Sequence, residues 1–337
     1  MKAALLLIIF ALQSSACSLL NGDKTPTISS LDKSPVILSD VPVENSLKQT
    51  TSAYKEFLNT RVNSEARPQA MRRLADINLE SEAVPEDSQL QDDVTQLYKQ
   101  QANNSIKLYL DVLEHYPDYP DNDSVLYQLA RAYEYANEPE LSLSSLAEVI
   151  RQYPDSQYVL ESHFRRGEIL FVLKDYPGAE KAYQAVVTNG DGSPFYRQSL
   201  YKMGWCFFKQ GMFNADRDAF IALLDLELQG IENQKTVSGE VSPVRLTPAD
   251  QELINDTLRA VSLSFSHETG ASSVAEYFSR QGPRNYEETI YNRLGSLYLK
   301  KERFNDAAQT FQMFADNNPF HQQAPSYHMR VIEAYQE

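Results

Sequence analysis

Glycine is scarce in this chain: 12 in 337 residues, against 20 tyrosines and 15 phenylalanines. So few glycines argue against a turn-rich β-sandwich and against a fold built around a phosphate-cradling loop. The only cysteines are Cys17 and Cys206, too few and too far apart for a disulfide framework. Five histidines without a close pair leave little for a metal centre, and neither metal nor cofactor is expected. Basic residues are also in deficit, 31 Lys and Arg against 46 Asp and Glu, for a net charge of −15. A surface of that balance repels phosphate backbones, which removes nucleic acid from the expected partners. Glycine-rich phosphate loops, His-x-x-x-His, Gly-x-Ser-x-Gly and Cys-x-x-Cys are all missing. The chemistry those motifs serve is therefore not expected, and the chain reads as non-enzymatic with no small-molecule substrate. What is present is 42% hydrophobic and 23% charged, enough apolar content to bury a core over most of its length.

The apolar run Ala3–Leu12 follows Met1-Lys2 and is only ten residues long. About 20 would be needed to span a bilayer, so it fits the hydrophobic segment of a secretory signal, residues 1–16. Small residues Ser14-Ser15-Ala16 then lead directly into Cys17. This resembles the cleavage box of bacterial lipoproteins, which implies acylation of Cys17 and a mature chain that starts there. Ser14 departs from the family pattern, where Leu is usual, and Ser14-x-Ala16 also suits ordinary signal cleavage to a soluble periplasmic product. Ser18, where Asp would resemble inner-membrane retention, implies the periplasmic side of the outer membrane with several acyl chains as anchor. Residues 17–48 are rich in Ser, Thr, Pro and Asp, with Pro26, Pro35 and Pro42 and no helical period. They read as a disordered tether with a reach of roughly 30 Å.

The rest of the chain repeats. Tyr127-Gln-Leu129-Ala130, Phe164-Arg-Arg-Gly167, Tyr201-Lys-Met203-Gly204 and Asn292-Arg-Leu294-Gly295 each set a small residue on a helical pattern. Ala130, Gly167 and Gly204 recur every 37 residues. After each comes a short break and a second helical pattern, which carries Leu146, Tyr183, Phe220 and Phe311 in turn. Pro154 and Pro319 close the first and last of these. Two helices cross closely only where one of them lacks a bulky Cβ substituent, and aromatic rings fill the space opposite. This pattern resembles the tetratricopeptide repeat, with units at 123–156, 160–193, 197–230 and 288–321; in the third, Asp216 takes a position the family keeps small. The resemblance implies an all-α fold, a right-handed solenoid of antiparallel helix pairs. Residues 49–119 read as N-terminal helices (Met71, Leu74, Ala75) followed by a diverged unit at 86–119. Residues 231–247 read as a polar loop closed by the N-cap Thr247-Pro248-Ala249-Asp250. Residues 248–337 read as two further pairs, at 249–282 and 288–321, and the start of another, so the chain could belong to a longer array.

Three local features invite chemistry and have plainer explanations. Glu161 and His163 are two apart on a helix and point away from each other. Asp118–Asp123 is oxygen-rich but lacks the glycine and terminal glutamate of a calcium loop, and reads as an inter-repeat turn with an N-cap. Cys206, among Trp205, Phe207 and Phe208, reads as a buried thiol.

The resemblance also implies a partner-binding groove along the first helices. Carried over, its positions are Tyr127, Arg131 and Tyr135, then Phe164, Glu168 and Phe171, then Tyr201, Trp205, Phe208 and Lys209. Aromatic rings with Arg are the composition of binding hot spots. The same rings could equally pack between neighbouring first helices as core. The expected function is a non-catalytic scaffold in the cell envelope, anchored to the membrane by its lipid, with other envelope proteins or peptides as partners. A self-associating module, and the non-catalytic part of a longer enzyme, are the alternatives.

Overall fold

The structure, a computed structural model, describes residues 46–61, 64–80, 91–237 and 246–337. Fourteen helices and no strand occur among them. The proposed signal, Cys17 and the tether as far as residue 45 lie outside the described residues, as does Gly239, whereas residues 46–48, read as the end of the tether, are helical. No described helix is long and apolar enough to cross a membrane.

The helices are α1 Ser46–Thr60, α2 Arg67–Glu80, α3 Gln91–His115, α4 Asn122–Ala136, α5 Pro139–Gln152, α6 Val159–Val172 and α7 Tyr176–Thr188. They continue as α8 Tyr196–Lys209, α9 Phe213–Val237, α10 Pro248–Ser266, α11 Ala271–Gln281, α12 Glu287–Lys300, α13 Phe304–Asn317 and α14 Ala324–Gln336. From α2 through α9 each helix packs on its successor, which makes a solenoid of helix pairs.

Close crossings set the register. A Cβ added to Gly167 would lie 2.5 Å from the Tyr183 ring, one on Gly204 2.6 Å from Phe220, and one on Gly295 2.1 Å from Phe311. Real side chains do not approach that closely, so each aromatic depends on the missing Cβ. Ala130 and Leu146, both fully buried, occupy the equivalent places in the first unit.

The turn inside each unit is equally regular. Asn137, Lys174, Gly211 and Glu302 all have left-handed backbone, at φ 62°, 65°, 74° and 57°. The amide after each reaches back to a carbonyl of the preceding helix, Tyr133, Leu170, Phe207 or Tyr298, at 2.9 Å. These bonds satisfy carbonyls that the helix end leaves open. Between units, Tyr116-Pro117-Asp118 and Tyr153-Pro154-Asp155 form the same turn. In it the Tyr119 and Ser156 amides donate to Tyr116 and Tyr153 at 3.0 Å. The acidic stretch Asp118–Asp123 thus lies in an inter-repeat turn. Asp121 sits at the helix start facing Arg72 at 3.4 Å, and Asp123 accepts from Ser156 and the Ser124 amide.

Three segments differ from the sequence expectation. Residues 91–115 form one helix rather than a diverged pair, because no glycine or proline interrupts them; α2 is the helix that packs on α3. The stretch read as loop from 231 is helical as far as Val237, since its first breaker is Gly239. Within 249–282, α10 packs on α9 and α12 while α11 packs on α13, and the two helices of the unit barely meet. Gly270, at φ 64°, turns the chain sharply between them. The long α9 braces this region: Asp218 accepts from Tyr277 at 2.9 Å, and Asp225 from Arg284 at 2.9 Å and from Tyr286. Thr247 caps α10 as the sequence suggests, with reciprocal Thr247–Asp250 bonds and Pro248 in the first turn.

Candidate functional site

The ten groove candidates lie on α4, α6 and α8, and their surroundings divide them. Tyr127 is 4% exposed. Its ring stacks on Tyr158 at 4.5 Å; its hydroxyl donates to Glu161 and accepts from Arg165 Nε at 3.0 Å. Burial, then the bond to Glu161, pushes that hydroxyl up to about 12. Tyr127 therefore joins α4 to α6 and is covered by its neighbours. Phe164 is half-buried, stacked on Phe195 at 5.2 Å and tilted against Tyr183. Tyr201 is also half-buried, 6.0 Å from Phe220 and 6.3 Å from Trp205. Tyr127 and Phe164 thus pack against the following unit, and Tyr201 packs within its own.

Other candidates face outward. Arg131 donates to Gln128 at 3.1 Å and lines a cleft of about 450 Å³. Its walls are Leu79 of α2, Tyr98 and Gln101 of α3, and Tyr135, which is 53% exposed.

Glu168 accepts from the Tyr183 hydroxyl and from Lys202 at 3.0 Å; the Lys202 ammonium also lies 5.3 Å from the Phe171 ring. Trp205 meets Phe208 edge to face at 5.4 Å, and Lys209 at the end of α8 is exposed. Phe208 in turn meets Phe213 at 5.8 Å and His267 at 5.1 Å.

Sequence reasoning missed several participants. Arg165, Lys202, Tyr98 and His267 all join this surface, yet none falls on a family groove position. Arg165 and Lys202 lie beside the family positions on α6 and α8, whereas Tyr98 on α3 and His267 at the end of α10 are brought in from other helices, which only the fold could have shown. Glu161 faces Tyr127 and Arg165, while His163, half-buried beside Arg166, has its pKa lowered by desolvation; they form no acid–base pair. Cys206 is fully buried, and burial pushes its thiol up to about 12, away from nucleophile chemistry. Among the described residues no three His, Cys, Asp or Glu side chains stand together as metal ligands do.

One buried charge pair departs from the family pattern. Asp216, fully buried in the position usually kept small, accepts from Ser264 at 2.6 Å and leaves its second oxygen unpartnered. Burial raises its carboxyl to about 7. Next to it Arg217 bonds Glu268 at 2.9 Å and lies 5.1 Å from the Phe265 ring, which pins α9 to α10.

Residues 127–194 match the tetratricopeptide repeat family. Among solved structures, the chain is similar to a tetratricopeptide repeat protein from Parabacteroides merdae, at 13% identity with a TM-score of 0.43; 86% of this chain and 93% of that one are covered. It is similar to BtubC (BKLC) from P. vanneervenii at 10% identity and TM-score 0.42, over 82% of this chain and 94% of that one. MamA 41-end from Desulfovibrio magneticus RS-1 aligns at 15% identity and TM-score 0.37, covering 56% and 89% respectively. No curated protein sequence matches the chain.

Proposed function

We propose that this protein is a non-catalytic scaffold whose first-helix row holds segments of partner proteins. The observation that carries the reading is the cleft between α2, α3 and α4, where the Arg131 guanidinium and the exposed Tyr135 ring stand beside Tyr98. An aromatic ring and a guanidinium at an open cleft supply the two side-chain types that concentrate binding energy. Trp205 and Phe208, half-buried at the end of α8, extend the surface towards Lys209.

The cellular setting belongs to the same proposal. The apolar leader and Ser15-Ala16-Cys17 support a chain acylated at Cys17 and held at the periplasmic side of the outer membrane, where envelope proteins are its partners. Fractionation of cells carrying Cys17→Ser tests the anchor: the variant moves to the soluble periplasmic fraction, and unchanged membrane association overturns it. Pull-down from envelope extracts with Arg131→Ala, Tyr135→Ala and Trp205→Ala tests the surface. Each should weaken a captured partner by about 1–3 kcal/mol with far-UV ellipticity unchanged. Folded variants that retain every partner overturn the scaffold surface.

A further inference from the structure

One buried carboxyl stands apart among the second helices. Ser142, Ala179 and Asp216 follow one another at 37 residues, and Ala307 holds the same place in the unit 288–321. All four are fully buried, and the other three are small and uncharged. Asp216 Oδ1 accepts from Ser264 of α10 at 2.6 Å, while Oδ2 is enclosed with no hydrogen-bond partner. An ionised carboxylate is costly in such a place, and a proton on Oδ2 removes the charge.

What this carboxyl holds is the end of α10. The start of that helix is tied to α8 by Arg197, which bonds Asp250 at 2.7 Å and also Glu227 of α9. Its end meets α9 through Asp216 and Ser264, and through Arg217, which bonds Glu268 at 2.9 Å. Ser264 and Arg217 are both buried, so the end of α10 cannot leave α9 without wetting Asp216. Directly beyond, His267 stacks on Phe213 at 5.5 Å and meets Phe208 edge-on at 5.1 Å.

The charged groups acting on Asp216 are Arg217 on its own helix, which favours the ionised form, and Glu268 on α10, which opposes it. Arg217 is already bonded to Glu268 and to Asn214 at 2.6 Å, and its Nε is enclosed without a partner. Asp218, two residues on, accepts from Tyr277 of α11. The last turn of α8 carries fully buried Cys206 and exposed Lys209. Burial outweighs the pull of Ser264 and Arg217 and favours the protonated acid.

We infer that the α9–α10 junction is a proton-operated clasp. With Asp216 neutral, the end of α10 stays closed on α9; with Asp216 ionised, it opens and uncovers Phe208 and Phe213. Water reaches the carboxyl in the open state, so its pKa there returns towards the ordinary 3.8 from about 7. The proton therefore favours the closed state, and opening becomes easier as pH rises through that interval. The clasp involves no partner and stands or falls without the scaffold reading.

Amide hydrogen exchange on the full chain tests the clasp, with rates corrected for the intrinsic effect of pH. Protection in the last two turns of α10 should fall roughly tenfold or more between about pH 5 and pH 7.5, while that of α5 stays constant. Trp205, the only tryptophan, meets Phe208 at 5.4 Å, and its emission should move to longer wavelength over the same interval. Asp216→Asn should abolish both effects, as should Asp216→Ala, which restores the small residue of the other units. Ser264→Ala removes a bond that favours the ionised form, so the midpoint should move to higher pH. Histidine also changes charge near neutrality, and His267→Gln should keep the wild-type profile. A flat wild-type profile, or one that both Asp216 variants leave intact, overturns the clasp. A profile lost in His267→Gln makes the histidine the sensor and overturns it too, as does a Ser264→Ala midpoint that stays or falls.

Discussion

The ring of Phe220 crosses Gly204 so closely that a Cβ on that glycine would lie 2.6 Å from the ring edge. The same relation joins Gly167 to Tyr183 and Gly295 to Phe311, always sixteen residues along the chain. Substitution should therefore destabilise, although alanine is intrinsically the better helix former by about 1 kcal/mol. Gly204→Ala and Gly295→Ala should each cost about 1–3 kcal/mol, and Gly204→Leu more, because overpacking forces the pair apart. Gly192→Ala, with open space around the added methyl, should be close to neutral. Urea unfolding followed by ellipticity makes the comparison; equal effects at all three positions would contradict the register.

The left-handed turns offer the opposite sign. Lys174 and Glu302 hold positive φ where the equivalent position in the third unit is Gly211. Left-handed backbone costs an L-residue about 1–2 kcal/mol, partly offset by glycine's greater freedom when unfolded. Lys174→Gly and Glu302→Gly should each stabilise by about 0.5–1 kcal/mol, and Gly211→Ala should destabilise by a similar amount. Thermal melts of the three variants check the signs.

Asp216 gives the fold a pH dependence of known direction. Its carboxyl is raised from its ordinary 3.8 to about 7 in the fold, by burial against the weaker pull of Ser264 and Arg217 and with Glu268 adding to the rise. A raised folded-state pKa means the proton favours folding. The contribution is present in full below pH 4 and is lost as pH rises to about 7. The loss should be on the order of a few kcal/mol. Asp216→Asn should flatten the wild-type slope across that window, read as the difference between the two proteins in urea midpoints from pH 4 to pH 8. Parallel slopes would show that the carboxyl titrates normally.

Tyr127 separates packing from recognition. Tyr127→Phe removes a hydroxyl that serves Glu161 and Arg165 between α4 and α6, and leaves the stack on Tyr158. It should lower stability by about 1–3 kcal/mol through the two lost hydrogen bonds between the helices, with Glu161 and Arg165 still paired to each other and partner binding unchanged. Tyr135→Ala should do the reverse. Denaturation and binding measured on both variants distinguish the two roles.

The repeat register was legible from sequence because a close helix crossing demands one residue without a bulky Cβ. Gly167, Gly204 and Gly295 announce that demand directly. Helix ends were legible where a breaker stands, as at Pro154, Pro319 and Thr247-Pro248. They were misread where polar residues alone suggested a boundary, since 231–237 and 91–115 contain nothing that stops a helix. The packing of the groove candidates was legible only in part. Arg131 and Tyr135 line an open cleft, but the burial of Tyr127 is imposed by Tyr158, Glu161 and Arg165 from the next unit. No local pattern around Tyr127 carries that information. His267 reaches Phe208 for the same reason, through the packing of α10 on α9.

Site-specific photocrosslinking in living cells tests most directly whether the first-helix row holds partners. A benzophenone side chain at position 135 or 209, on the row, would be compared with one at exposed Gln184 on α7. The account predicts discrete adducts of defined mass from positions 135 and 209, none from 184, and loss of the position 135 adduct when Arg131→Ala is added. Adducts of equal yield from all three positions, or none from 135 and 209, would contradict it.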